Sequence, residues 1–98
     1  HDIRLKTMAR NFKIKVHQEI DSLHIRLMGD FDGSSAFELL NALGEKSNGY
    51  KSILVDTHRL NEVYPFGREV FYYNFLRMKN RPKRFRFVGP NALDLAPI

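Results

Sequence analysis

The sequence predicts an α/β fold: a small mixed sheet of about four strands, opened by an N-terminal hairpin and continued by parallel β-α-β units. Three patterns carry that reading. Two runs alternate apolar and polar residues, Phe12-Lys13-Ile14-Lys15-Val16 and Leu23-His24-Ile25-Arg26-Leu27. A third run, Ile53-Leu54-Val55, is continuous and rich in β-branched residues, as suits a strand buried on both faces. Two longer segments, around Ala36 to Leu43 and from Pro65 to Met78, repeat apolar residues at helical spacing.

Residues 1–10 show no clean period and read as a flexible N-terminal extension, with residues 11–98 as a single domain. The two alternating runs, joined by the polar stretch Glu19-Ile20-Asp21-Ser22, form an antiparallel hairpin. Met28 to Gly33 reads as a loop. Ser35-Ala36-Phe37-Glu38 matches a capping box, with Ser35 as the cap. Ala36, Leu39, Leu40 and Leu43 then line one helix face, and Gly44 or Gly49 stops it. The central strand runs from Lys51 to Asp56, where it ends, and Thr57 to Tyr64 form a loop. Pro65 opens the second helix at a position where its missing N–H costs nothing.

That second helix is unusually apolar. Residues 66, 70 and 73 lie on one line, and 71, 75 and 78 on another. Phe66 is expected to face the core, with Tyr72 or its neighbours accessible to a partner. Phe85 to Val88 is a further strand, ended by Gly89-Pro90. Asn91 to Leu95 make one short C-terminal turn of helix, so the chain holds two main helices and that turn.

Composition bounds the rest. Ninety-eight residues with 43% hydrophobic content, eight Phe and four Tyr make one domain with its own core. No cysteine is present, so there is neither disulfide nor thiolate chemistry, and a reducing cytoplasm fits. No apolar run approaches membrane-spanning length, and no signal peptide is visible. The formal charge of +5 admits nucleic acid, anionic lipid or acidic protein as partner without choosing among them.

Little catalytic chemistry is on offer. His17, His24 and His58 lack metal-ligand spacing. Asp30-Phe31-Asp32-Gly33 matches only the opening of a calcium loop; the later ligands are missing. Asp56, His58 and Glu62 could do acid–base work from one loop, but no nucleophile or oxyanion hole accompanies them. The chain therefore reads as a non-enzyme, with no cofactor and no metal. The basic cluster Arg77, Lys79, Arg81, Lys83, Arg84 and Arg86, interleaved with Phe85 and Phe87, has the look of a nucleic-acid surface. It is explained as well by phenylalanines turned inward and cations left in solvent, and nucleic acid is not the partner retained.

Leu27-Met28-Gly29-Asp30-Phe31-Asp32, followed by a helix, resembles the opening of STAS domains, the anti-sigma factor antagonist or SpoIIAA-like family of bacteria. Ile53-Leu54-Val55-Asp56 matches that family's central strand. Tyr64-Pro65-Phe66-Gly67 falls on its Asp-Ser-x-Gly motif, and Phe85 to Gly89 on its later strand. The resemblance covers roughly residues 12–91. It implies a STAS-like fold and a protein-interaction module in a partner-switching pathway of transcription regulation. There the motif's Ser is phosphorylated by a kinase that is also the anti-sigma factor. Here Pro65 holds the Ser position and Tyr64 the Asp position; only Gly67 remains. The phosphoacceptor is gone. Ser34, Ser35 and Thr57 are nearby hydroxyls, and Thr57 is the candidate alternative phosphosite.

The partner surface expected from this comprises Thr57, His58, Glu62, Tyr64, Pro65, Phe66, Gly67, Arg68, Glu69 and Tyr72. Its partner would be an anti-sigma-type kinase or a similar regulator, or a second copy in a homodimer. The alternative implied by the resemblance is a regulatory domain for a small ligand or anion, nucleotide or lipid, or a transporter-regulating subunit.

Overall fold

The computed structural model describes residues 11–78 and 84–95. The extension expected at residues 1–10 and most of the basic connector, residues 79–83, lie outside the described residues. Strands β1 (Lys13–Gln18), β2 (Ser22–Phe31), β3 (Ser52–Val63) and β4 (Arg84–Val88) form one sheet in the order β1-β2-β3-β4. Helix α1 (Gly33–Lys46) joins β2 to β3, α2 (Pro65–Leu76) joins β3 to β4, and α3 (Ala92–Leu95) follows. The hairpin β1–β2 is antiparallel; β2–β3 and β3–β4 are parallel. This is the α/β arrangement, with a four-stranded mixed sheet, that the sequence predicts.

All three helices feed one core on one face of the sheet. Leu23, Ile25 and Leu27 of β2 and Ile53 and Val55 of β3 meet Ala36, Leu39 and Leu43 of α1, Phe71 and Phe75 of α2, and Leu95 of α3. The opposite face holds His24, Arg26, Leu54 and Asp56, half-buried or exposed, and nothing among the described residues covers it.

Four local expectations change. First, β3 does not end at Asp56 but runs on to Val63, and β2 continues to Phe31. The pairing Arg26↔Asp56 is followed by Met28↔Arg59, and Gly29↔Leu60 by Phe31↔Val63, so β3 twice carries an extra residue. Each such bulge breaks the two-residue alternation. Ile53, Val55 and Thr57 are buried, and the next buried position is Leu60. The periodic signal stops while the strand goes on.

Second, the cap of α1 is Asp32, not Ser35. The Asp32 carboxylate accepts the Ser35 N–H at 2.9 Å, and α1 begins at Gly33. Ser35 is buried in the first turn and donates to the Asp30 carbonyl. Third, α1 passes through Gly44 and ends at Lys46. Ser47 is its C-cap, and its hydroxyl bonds the Leu43 carbonyl. Gly49 supplies a left-handed turn residue, φ +88°, just beyond. Fourth, Phe66 does not face the core.

Candidate functional site

The N-termini of α1 and α2 meet at the carboxyl ends of β2 and β3, where open α/β sheets build their sites. The Tyr64 N–H donates to the Phe31 carbonyl at 2.9 Å, which ties the start of α2 to the end of β2. Tyr64 is the extended cap residue, and Pro65 takes the first helical position. Gly67 then packs against backbone: a Cβ built there would stand 2.7 Å from the carbonyl carbon and oxygen of Asp32. That approach sets the rotation of α2. Gly67, Phe71 and Phe75, four residues apart, become the buried line. Phe71 stacks on Phe75 at 5.2 Å and meets Phe31 and Phe87 edge-on.

Phe66 is thereby turned outward and is 68% exposed, its ring lying over Gly33. Of the two apolar lines of α2, the one through 71 and 75 packs inward, and Phe66 and Tyr73 of the other stand in solvent. Tyr64, Pro65, Arg68, Glu69 and Tyr72 are also exposed, while Gly67 is buried. Arg68 reaches Asp94 of α3 at 3.9 Å. Tyr73 is exposed beside Tyr72, and two further exposed apolar residues, Phe37 and Leu76, are absent from the surface expected from the sequence. Phe37 was visible as an apolar residue off the period of its helix. It stands one turn beyond Gly33, the residue that Phe66 covers.

Thr57 does not belong to this surface. Its side chain is fully buried, its hydroxyl donates to the Val88 carbonyl at 2.7 Å and accepts the Asn91 N–H at 3.2 Å. Gly89 leaves room for it, since a Cβ there would come within 2.5 Å of the Thr57 oxygen. A hydroxyl so enclosed is out of a kinase's reach in the folded protein, so Thr57 is neither a partner contact nor a surface phosphosite.

Asp56 and His58 serve the first bulge. The Asp56 carboxylate accepts the His58 N–H at 2.9 Å, which the bulge would otherwise leave without a sheet partner, and lies 2.6 Å from His58 Nδ1. Arg26 stands 3.7 Å away across the sheet. Partial burial pushes the Asp56 carboxyl up, but the His58 amide, its imidazole and the Arg26 guanidinium outweigh this and hold it below the usual carboxylate value. Glu62 is exposed and makes no polar contact with the pair among the described residues. Thr57, between Asp56 and His58 in sequence, faces the other side of the sheet. Of the three residues weighed for acid–base work, Asp56 and His58 are brought together, and Glu62 does not join them. Among the described residues no group of three His, Asp or Glu is placed to hold a metal ion, and no helix is long and apolar enough to cross a membrane.

No protein-family model matches the chain, and no curated protein matches it in sequence. Solved structures do. One of Mglu superposes at a TM-score of 0.67 with 21% identity over 78% of this chain, which spans 19% of the Mglu chain. An anti-sigma factor antagonist from Mycobacterium paratuberculosis matches at 0.59, with 14% identity, over 81% of this chain and 69% of its own. A DUF3478-family protein with a SpoIIAA-like fold, from Shewanella loihica PV-4, matches at 0.59, with 16% identity, over 85% and 70%. The chain has a STAS, or SpoIIAA-like, fold. At these identities the likeness is one of fold.

Proposed function

We propose that residues 11–98 act as one non-catalytic STAS-like interaction module in a bacterial, cytoplasmic partner-switching pathway of the anti-sigma factor antagonist type, working without the usual phosphorylatable Ser. The observation that carries this reading is the set of exposed aromatic side chains along α2: Tyr64 at its cap, Phe66 in its first turn, and Tyr72 and Tyr73 further along the helix. Solvent-facing aromatics gathered on one rigid element are the raw material of interface hot spots. The flanking charges of Arg68 and Glu69 suit a polar rim. The likeness in fold to an anti-sigma factor antagonist supports the same reading.

The partner expected is an anti-sigma-type kinase or a similar regulator. Pro65 removes both the acceptor hydroxyl and one helix N–H, so the complex would be governed by the partner's state rather than by a phosphate on this chain. Titration calorimetry with purified anti-sigma-type kinases, each loaded with ATP or with ADP, tests this. Binding that survives in the wild type and fails in Phe66→Ala supports it. No binding by any of them, or equal binding by the variant, overturns it.

A further inference from the structure

The sheet face turned away from the helices carries a charge pattern that folding does not need. The register places Lys15 opposite Arg26 and His17 opposite His24, with Lys13 two residues back along β1. Arg86 of β4 lies on the same face, opposite Leu54. Residues directly opposite on antiparallel strands have Cβ atoms about 4.5–5.5 Å apart, and like charges there are destabilising. The two imidazole rings stand 6.2 Å apart, edge to face. Asp56 is the one carboxylate that the register places among them, and Arg26 and His58 already engage it. Lys15, His17, His24, Arg26, Leu54 and Asp56 line an open depression of about 480 Å³. That volume falls in the range of small-molecule sites, about 300–1,000 Å³.

Besides Asp56, Glu19 just past the end of β1 offers a carboxylate, 3.7 Å from His17 Nε2. Residues 1–10 hold Arg4, Lys6 and Arg10 against Asp2, and residues 79–83 hold Lys79, Arg81 and Lys83 with no carboxylate. We infer that the open sheet face binds a small, multiply charged anion of the phosphate class. Lys15 and Arg26 are its charge-assisted donors, and the imidazoles of His17 and His24 complete the lining. The size of the depression, with its cations gathered around it, fits a compact polyanion better than an extended nucleic acid or a membrane. The inference is independent of the partner-docking reading, because Phe66 and Tyr73 belong to helix α2 on the other side of the sheet.

The probe is inorganic tripolyphosphate, titrated into the folded protein and followed by amide chemical shifts and calorimetry. Shifts are expected at Lys15, His17, His24, Arg26 and Leu54, with affinity falling as salt is raised. Lys15→Ala combined with Arg26→Ala should weaken binding at least about tenfold. Asp56→Asn should tighten it, because it removes a like charge from the rim. A merely structural role for these residues would move both variants the same way. Absent shifts, unchanged affinity in the double variant, or weaker binding by Asp56→Asn overturns the inference. So does tighter binding of an oligonucleotide or of phosphatidylserine vesicles at the same residues.

Discussion

The hydroxyl of Thr57 donates to the carbonyl oxygen of Val88 at 2.7 Å, across 31 residues of sequence. It fastens the first bulge of β3 to the end of β4, and by accepting the Asn91 N–H it also fastens the turn into α3. Thr57→Val keeps the shape and deletes the hydroxyl. The Val88 carbonyl and the Asn91 amide then lose their partner, a cost of about 1–3 kcal/mol. Urea denaturation should show this loss, and Thr57→Ser should recover much of it. A neutral Thr57→Val would mean that the two backbone groups are satisfied without the side chain. Mass spectrometry of the folded protein after incubation with kinase and ATP should find no phosphate on Thr57.

Phe71 and Phe66, five residues apart on α2, should respond in opposite ways. Phe71→Ala empties a fully buried site in contact with three other rings and should cost about 3–5 kcal/mol. Phe66→Ala removes a ring that is mostly in solvent and should cost under about 1 kcal/mol, while weakening partner binding by about 2 kcal/mol or more. Denaturation of both variants, set beside binding of Phe66→Ala, checks the assignment. A Phe66→Ala that unfolds as readily as Phe71→Ala would contradict the rotation of α2 described above.

Gly67→Ala sets two effects against each other. Alanine improves helix propensity by about 1 kcal/mol. Its methyl would also meet the Asp32 backbone at 2.7 Å, and backbone cannot swing aside as a side-chain tip can. Overpacking of that kind costs about 1–3 kcal/mol, so net destabilisation is expected. Gly44→Ala, with nothing within 4 Å of the added carbon, is the control and should stabilise the protein. Thermal melts of the pair decide which effect wins at Gly67.

Asp56 should make stability depend on pH. Its folded value lies below its unfolded one, so the ionised carboxylate favours the folded state. The contribution is fully present above the unfolded value, about pH 4, and is lost as the pH falls through the folded value. Asp56→Asn should therefore lose less stability than the wild type on acidification below about pH 4, in melts recorded across that range. Parallel pH profiles for the two proteins would show that the His58 and Arg26 contacts contribute nothing.

What the sequence determined by itself is what local periodicity can encode. The two alternating runs, the apolar run at Ile53 to Val55, the proline at the start of α2 and the helical repeats specify element types and order. They also specify the faces of β1 and β2, since alternation along a strand is a property of neighbouring residues. The tertiary structure decided the rest. The bulges at Thr57 and beyond Leu60 reset the alternation of β3, so its length came from pairing with β2 and not from pattern. Asp32 displaced Ser35 as the cap because the chain leaves β2 extended through Asp32, putting that carboxylate within reach of the Ser35 amide. Two apolar lines on α2 were legible in the sequence, but not which of them turns inward. That rests on the close approach of Gly67 to Asp32, a contact between residues 35 positions apart. The cations of the open face were likewise in view one at a time. Only strand register, which joins Lys15 to Arg26 and His17 to His24, gathers them around one depression.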